Sequence, residues 1–112
     1  MAVLRIAAYR TLNYSGISGT YAVLGAAIEH NWRAFCITNN TDADLAFSLD
    51  GTTNNIFIPA FSFRLYDIST NSPPISPIDN LVIGINTQFY VKYITAPTEG
   101  DVYLEGLYAK GE

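Results

Sequence analysis

Apolar and polar residues alternate along much of the chain in short stretches that are separated by turn-forming residues. In the clearest stretch, Leu45, Phe47 and Leu49 alternate with small or polar residues, a period of two that is typical of a β-strand. Residues 32–38 (WRAFCIT) are apolar on both faces, which indicates a strand in the middle of a sheet. No stretch shows an extended helical period.

The same kind of pattern predicts further strands at residues 3–9, 21–29, 56–58, 61–66, 81–85, 87–94 and 101–108. Residues 21–29 are rich in alanine and also suit a short helix, but Gly25 weakens a helix and the Tyr and Val residues favour a sheet. About eight short strands with turn signals between them predict an all-β fold, either an antiparallel β-sandwich or a jelly-roll-like barrel. We expect residues 1–112 to form one domain.

Two segments stand apart from this regular series. Residues 1–20 are a candidate N-terminal arm that wraps a neighbouring molecule, and residues 69–80 (STNSPPISPIDN) form a long, proline-rich loop. Pro59 marks a strand end or an edge. Residues 96–101 (APTEGD) are predicted to join the last two strands as a hairpin.

Three aspartates, Asp42, Asp44 and Asp50, lie within nine positions and raise the question of a cation site. A calcium loop of the EF-hand type needs a glycine at its sixth position and a glutamate at its twelfth. Counted from Asp42, these positions hold Phe47 and Thr53. The strand period also separates Asp44 from Asp50 by about 20 Å. We therefore interpret the aspartates as turn residues on either side of one strand, and expect no metal site.

Charge is sparse in this chain. Only 14% of the residues are charged, against about 25% in ordinary soluble domains, and this favours a protein whose surface is covered by partners, such as a homo-oligomer. The net charge is −4, and the six basic residues are scattered along the sequence. Phosphate binding needs a clustered basic footprint, so we expect no direct contact with nucleic acid.

The single cysteine and the short apolar runs indicate whether the protein is disulfide-bonded, secreted or inserted in a membrane. Cys36 excludes an internal disulfide, and its place in an apolar strand predicts a buried, unreactive thiol. The N-terminus lacks the pattern of a signal peptide, and no apolar run approaches the roughly 20 residues of a transmembrane helix. We expect no membrane association.

Catalytic groups are few. His30 is the only histidine, so a His-based triad or a multi-histidine metal site cannot be built within one chain. Glu29 is its neighbour, without a visible third partner. Asp101 and Glu105 share a strand face at about 13 Å, beyond the separation of paired glycosidase acids. We expect no enzymatic activity and no cofactor.

Side chains suited to binding a partner are more numerous. Tyr90 and Lys92 fall on one face of a predicted strand, and together with Arg64 and Tyr66 they are candidates for an aromatic and basic surface. Packing of half-exposed tyrosines across strands explains the same pattern equally well. The other candidates lie in the loop of residues 69–80, since long loops on such scaffolds usually carry contacts. They are Pro73, Pro74, Ile75 and Pro77.

Turns and strand ends follow one another in a distinctive order from residue 33 to residue 109. They are Asn40-Thr41-Asp42, Asp50-Gly51, Pro59-Ala60, Tyr66-Asp67, Tyr90-Val91-Lys92 and residues 100–103. In this order the chain resembles small structural proteins of tailed bacteriophages, with Phe61 where the family pattern usually has glycine. The resemblance implies a virion component with a β-sandwich fold that works by assembly rather than by chemistry.

The expected function is therefore that of a non-enzymatic phage structural protein that assembles onto the capsid, collar or tail as a decoration or head–tail connecting subunit. Its expected partners are other virion proteins (capsid, portal or tail) and further copies of itself, joined by strand addition. Its expected location is the virion, after synthesis in the host bacterial cytoplasm. The alternative is a carbohydrate- or receptor-binding β-sandwich module of a phage fibre or spike.

Overall fold

The computed structural model describes residues 3–67 and 83–110, and these residues form an antiparallel β-sandwich, which confirms the predicted fold class. Nine strands build it: β1 (Val3–Ile6), β2 (Arg10–Asn13), β3 (Ala22–Val23), β4 (Trp32–Thr41), β5 (Leu45–Ser48), β6 (Ile56–Ile58), β7 (Ser62–Asp67), β8 (Tyr90–Tyr93) and β9 (Gly100–Lys110). A 3-10 turn, Tyr14–Gly16, follows β2.

The strands divide into two sheets. The first sheet has the order β1-β9-β4-β7, and β2 pairs with β9 along the same edge as β1. The second sheet has the order β3-β8-β5-β6. Consecutive strands often lie in different sheets, so the chain passes repeatedly from one layer of the sandwich to the other.

The first sheet is built around β4 and β9. Phe35 and Ile37 of β4 are buried, and β4 lies between β9 and β7, as the apolar run of residues 32–38 predicts. The strand is longer than predicted and continues to Thr41. Its register with β9 shifts between Trp32 and Ala34, and this irregularity turns the indole of Trp32 into the core.

The core fills the space between the two sheets. Phe89 links them, because its ring lies 5.9 Å from the ring of Trp32 and meets Phe35 edge to face at 5.3 Å. The largest side chains that are almost fully buried are apolar: Leu24, Ile28, Trp32, Ile37, Leu45, Phe47, Ile58, Phe89, Val91, Val102 and Leu104. Burial of such side chains stabilises the fold by about 1.5–3 kcal/mol each, before conformational entropy is subtracted.

Several predicted boundaries are wrong. Of residues 21–29 only Ala22–Val23 form a strand, since the chain turns at Gly25 with a φ of 73°. The prediction missed β2. Residues 96–101 do not close a hairpin, because β8 belongs to the second sheet and β9 to the first. Within the predicted strand of residues 81–85, Ile83 forms one bridge with Trp32, and residues 81 and 82 lie outside the described residues.

The two segments singled out in the sequence have different outcomes. In the predicted N-terminal arm, β1 and β2 pair with β9 of their own chain. The loop of residues 69–80 lies outside the described residues. Cys36 is half-buried on the outward side of β4, so its predicted burial is wrong.

Candidate functional site

One end of the sandwich is tied together by the side chain of Asn39. This asparagine is completely buried, and its amide Nδ2 donates hydrogen bonds to the backbone oxygens of Ala43 at 2.8 Å, Ile58 at 3.0 Å and Pro59 at 3.1 Å. Its Oδ1 accepts from the backbone N–H of Thr41 at 3.0 Å and from the Thr41 hydroxyl at 2.6 Å. Nδ2 therefore joins the β4–β5 link to the β6–β7 link, while Oδ1 holds the end of β4.

Two of the three aspartates, Asp42 and Asp44, form hydrogen bonds at the same end of the sandwich as Asn39. Asp44 Oδ1 accepts from the backbone N–H of Ala60 at 3.1 Å. Asp42 Oδ1 accepts from the backbone N–H of Thr98 at 2.8 Å, and its Oδ2 accepts from the Thr98 hydroxyl. The Thr98 hydroxyl, and then its backbone N–H, lower the pKa of Asp42. These carboxylates hold three links between the sheets together.

The third aspartate closes the turn between β5 and β6. Asp50 Oδ1 accepts from the backbone N–H groups of Thr52 at 2.8 Å and Thr53 at 2.7 Å, and from the Ser48 hydroxyl at 2.7 Å. Its Oδ2 accepts from the Thr53 hydroxyl at 2.7 Å. Hydrogen bonds from Thr53, first from the hydroxyl and then from the backbone, lower the pKa of Asp50 far below its ordinary value. The turn interpretation of the aspartates agrees with these bonds.

No group of three or more His, Cys, Asp or Glu side chains that could hold a metal ion occurs within residues 3–67 and 83–110. The carboxylates of Asp42 and Asp50 instead accept bonds from threonines of their own chain.

A cleft of about 280 Å³ opens beside β1 and β2, and His30 and Glu29 line it. Arg10 donates from Nε to the backbone oxygen of Ala26 at 3.2 Å, and its guanidinium lies 5.1 Å from the centre of the Trp32 ring. The rings of His30 and Tyr108 stack in parallel with their centroids 3.9 Å apart. Arg10 and His30 thus brace the walls of the cleft.

The outward side of the second sheet carries a cluster that we call the tyrosine face, formed by Tyr21, Tyr90 and Lys92. Lys92 Nζ lies 4.9 Å from the centre of the Tyr21 ring, and the Tyr21 hydroxyl donates to Asn54 Oδ1 at 2.6 Å. Burial, and then the Asp50 carboxylate, raise the pKa of Tyr21. The cluster covers the outward side of β5, where Ala46 and Ser48 are buried.

The outward side of the first sheet is different. We call it the open face, and its apolar residues are Ile6, Cys36, Phe63, Leu65 and Leu107. The exposed Glu105 lies among them, opposite Cys36. The strand register brings these side chains together, since Cys36 lies opposite Leu65 and Ile6 lies opposite Leu107. A shallow depression of about 180 Å³ lies at the centre of the open face.

Strand β7 is responsible for the exposure of the open face. Its apolar Phe63 and Leu65 are 62% and 66% exposed. They lie opposite Thr38 and Cys36, on the outward side of β4. The alternate residues, including Arg64, lie opposite the inward residues of β4, although an alternating strand usually turns its apolar set inward. β7 therefore presents apolar side chains to the surroundings.

The structure places the residues proposed from the sequence in different parts of the sandwich. Tyr90 and Lys92 lie on the tyrosine face, whereas Arg64 and Tyr66 lie on β7 in the first sheet, where the Tyr66 ring stacks on Phe35 at 4.9 Å. The four side chains are thus divided between the two sheets. The remaining predicted residues, Pro73, Pro74, Ile75 and Pro77, lie outside the described residues.

The open face could not be identified from the sequence. Phe63 and Leu65 have the same alternating pattern as the buried residues of β5, and such a pattern predicts that they face the core. The charged Arg64 in the alternate set favours the same prediction. Only the register with β4 shows that Phe63 and Leu65 face outward.

Comparison with known proteins gives few matches. No protein-family model matches the chain, and no curated protein matches it. Among solved structures, the chain is similar to the Dit protein (gp 19.1) of phage SPP1, which is described as a paradigm of the hub adsorption apparatus in phages that infect Gram-positive hosts. The identity is 12%, the TM-score is 0.39, and the match covers 95% of this chain and 48% of that one. The chain thus spans about half the length of that protein.

The described residues contain no helix that is both long and apolar enough to span a membrane.

Proposed function

We propose that the chain is a non-enzymatic structural subunit of a bacteriophage virion, which assembles onto the capsid, collar or tail as a decoration or head–tail connecting subunit. The observation that carries the proposal is the open face with its edge strand β7. Residues 33–109 resemble phage structural proteins, and this resemblance supports a virion as the assembly in which the open face is buried.

The exposure of the open face favours an assembly role. Ile6 is 74% exposed, and Phe63 and Leu65 are each more than 60% exposed on the edge of the same sheet. Single exposed apolar side chains are common, but neighbouring ones on one sheet face mark surfaces that bind other proteins. Burial of these side chains against a partner stabilises a complex by about 25 cal/mol for each Å² removed from water, before the entropic costs of association.

The bonds at the end of the sandwich fit the same role. Asn39, Asp42 and Asp44 use their side chains to fasten the links between the sheets. An assembly subunit gains from this because a rigid surface loses little conformational entropy when a partner binds.

Particles purified from a host that carries the gene test the proposal. Mass spectrometry is expected to find the chain at a fixed, stoichiometric copy number, and electron microscopy of antibody-labelled particles is expected to place it on the capsid, collar or tail. Absence from particles that are otherwise complete would overturn the proposal.

A pair of variants tests the role of the open face. Leu65→Asp places a charge on the open face, and incorporation into particles is expected to fall. Val23→Asp is the matched control, since Val23 is also an exposed apolar residue (54%) but lies in the second sheet. Circular dichroism is used to check that both variants fold. Equal incorporation of the two variants would show that the open face is not the contact.

The tyrosine face favours one alternative, a carbohydrate- or receptor-binding module of a phage fibre or spike. Aromatic rings beside polar groups suit sugar recognition, and Tyr21, Lys92 and Asn54 provide such a combination. Binding of the isolated chain on a glycan array, abolished by Tyr90→Ala, would favour this function over the structural one.

A further inference from the structure

Among residues 3–67 and 83–110, strand β7 is paired along one edge only, and the hydrogen-bonding groups of its other edge can be assigned from the register. Ala7 N–H donates to the Gly106 oxygen at 2.9 Å, so the peptide groups of Gly106 point towards the edge of the sheet that β1 and β2 form. Alternate residues of an antiparallel strand bond to opposite sides, so those of Glu105 point towards β4. Glu105 lies opposite Cys36, so Cys36 bonds to β9 and its neighbour Ile37 bonds to β7.

The same alternation continues into β7. Ile37 lies opposite Arg64, so the peptide groups of Arg64 and Tyr66 bond to β4. The peptide groups of Phe63 and Leu65 therefore point away from the sheet. Within the part of the chain that the structure describes, β7 pairs with β4 alone. The Phe63 oxygen accepts one long bond, from Nη1 of the neighbouring Arg64 at 3.3 Å.

We propose that β7 pairs with β7 of a second copy of this chain across a two-fold axis at Leu65, which joins the two first sheets into one continuous antiparallel sheet. At the axis, the N–H of each Leu65 donates to the oxygen of the other Leu65. The biological purpose of this pairing rests on the proposed assembly function. The pairing itself can be tested on the isolated chain, without virions.

The side chains on the outward side fit this register. Leu65 meets Leu65 of the second copy at the axis, so the most exposed apolar side chain of β7 becomes buried against its own equivalent. Cys36 lies beside Leu65 on β4, so both copies of the open face lie on the same side of the joined sheet. The same register sets Phe63 of each copy opposite Asp67 of the other, so the two Leu65 side chains meet at the axis and a carboxylate lies beside each Phe63.

The side chains on the other side select the register. An axis at Leu65 sets Arg64 opposite Tyr66 of the second copy, where a guanidinium and an aromatic ring attract each other by about 0.5–1 kcal/mol at an exposed site. An axis at Arg64 would instead set two arginines face to face, which is destabilising. An inward-pointing charge on an edge strand usually discourages pairing, and here the repulsion between two arginines disfavours the axis at Arg64 relative to the axis at Leu65.

Disulfide cross-linking of the whole chain tests the register. Arg64→Cys and Tyr66→Cys are made separately in a Cys36→Ala background, and each is exposed to oxidised glutathione alone and in an equimolar mixture. Opposed residues that do not exchange hydrogen bonds have α-carbons about 4.5 Å apart, a distance within the range that disulfides span. The mixture is expected to form a cross-linked dimer of one chain of each kind, and each variant alone is expected to remain uncross-linked.

A second variant tests the edge itself. Leu65→Pro removes the N–H that the pairing needs but leaves the bonds between β7 and β4 intact, because that N–H points away from β4. The wild type is expected to increase towards twice its monomer mass in sedimentation experiments as its concentration rises. Leu65→Pro is expected to remain a monomer with an unchanged circular dichroism spectrum. Leu65→Ala, which keeps the N–H, is expected to retain part of the association.

Each outcome decides the proposal. A cross-link in Arg64→Cys alone or in Tyr66→Cys alone would place the axis at another residue and overturn the register. A monomer at every concentration, with no cross-link in the mixture, would overturn the pairing even if the chain is found in virions. Dimerisation by a chain that is absent from virions would overturn the proposed function and leave the pairing intact. If Leu65→Pro does not fold, cross-linking decides.

Discussion

The α-carbon of Gly106 lies directly against the indole ring of Trp32, so closely that one added methyl group would overlap the ring. Trp32 is 1% exposed and lies where the register between β4 and β9 shifts. The absence of a side chain at position 106 therefore creates the space that the largest core residue occupies.

Gly106→Ala is accordingly expected to lower the free energy of unfolding by about 1–3 kcal/mol or more, because the ring or the strand must move. Gly84→Ala is the matched control, since a methyl group there meets no atom within 4 Å. Urea denaturation followed by tryptophan fluorescence measures both. Equal stability of the two variants would show that the core has room at Trp32.

Substitution of Asn39 tests the junction between the links. Asn39→Asp replaces an amide that donates to three backbone oxygens by a carboxylate that repels them. We expect a loss of about 3 kcal/mol or more, since buried polar groups without partners cost about 1–3 kcal/mol each and charged ones cost more. Asn40→Asp makes the same chemical change at an exposed neighbouring position. Comparable denaturation midpoints for the two variants would contradict this role of Asn39.

The stability of the chain is expected to fall in acid below about pH 4. Asp42 and Asp50 have pKa values below their ordinary value in the folded state, so both carboxylates favour folding above the unfolded pKa of about 3.9. This contribution is lost as the pH falls through the folded pKa values. Asp50→Asn is expected to reduce the dependence of the denaturation midpoint on pH between about pH 4 and pH 2. An unchanged slope would contradict the assignment.

Two threonine substitutions test the causes of the lowered pKa values of Asp42 and Asp50 separately. Thr98→Val removes the hydroxyl that donates to Asp42, and Thr53→Val removes the one that donates to Asp50. Each substitution is expected to raise the pKa of its own aspartate towards the ordinary value and to leave the other unchanged. Carboxyl chemical shifts in an NMR titration measure both groups, and each variant serves as the control for the other.

The fold class was predictable because it depends on local patterns. The apolar residues 32–38 and the alternation at Leu45 and Phe47 follow from the chemistry of a sheet, and the structure shows both as central strands. The Asp50-Gly51 turn was predictable for the same reason, because aspartate and glycine favour turns. The structure agrees, since Gly51 adopts a φ of 84°.

Pairing between distant strands was not predictable in the same way. Residues 96–101 have the composition of a hairpin, yet they cross between sheets because β9 finds its partners in β1, β2 and β4. The orientation of Phe63 and Leu65 depends equally on a partner that is distant in sequence, β4. A single sequence does not contain that register, so the open face became visible only in the structure.

The position of β9 has a consequence for synthesis. The two interior strands of the first sheet are β4 and β9, and β9 follows every other strand along the chain. While a ribosome has yet to release residues 100–110, β1, β2 and β4 lack their shared neighbour, and the sheet cannot assemble in the order in which its strands emerge. β4 can pair with β7 before then, but β1 and β2 have no partner strand until β9 has been synthesised, so folding is expected to be a late and largely concerted event.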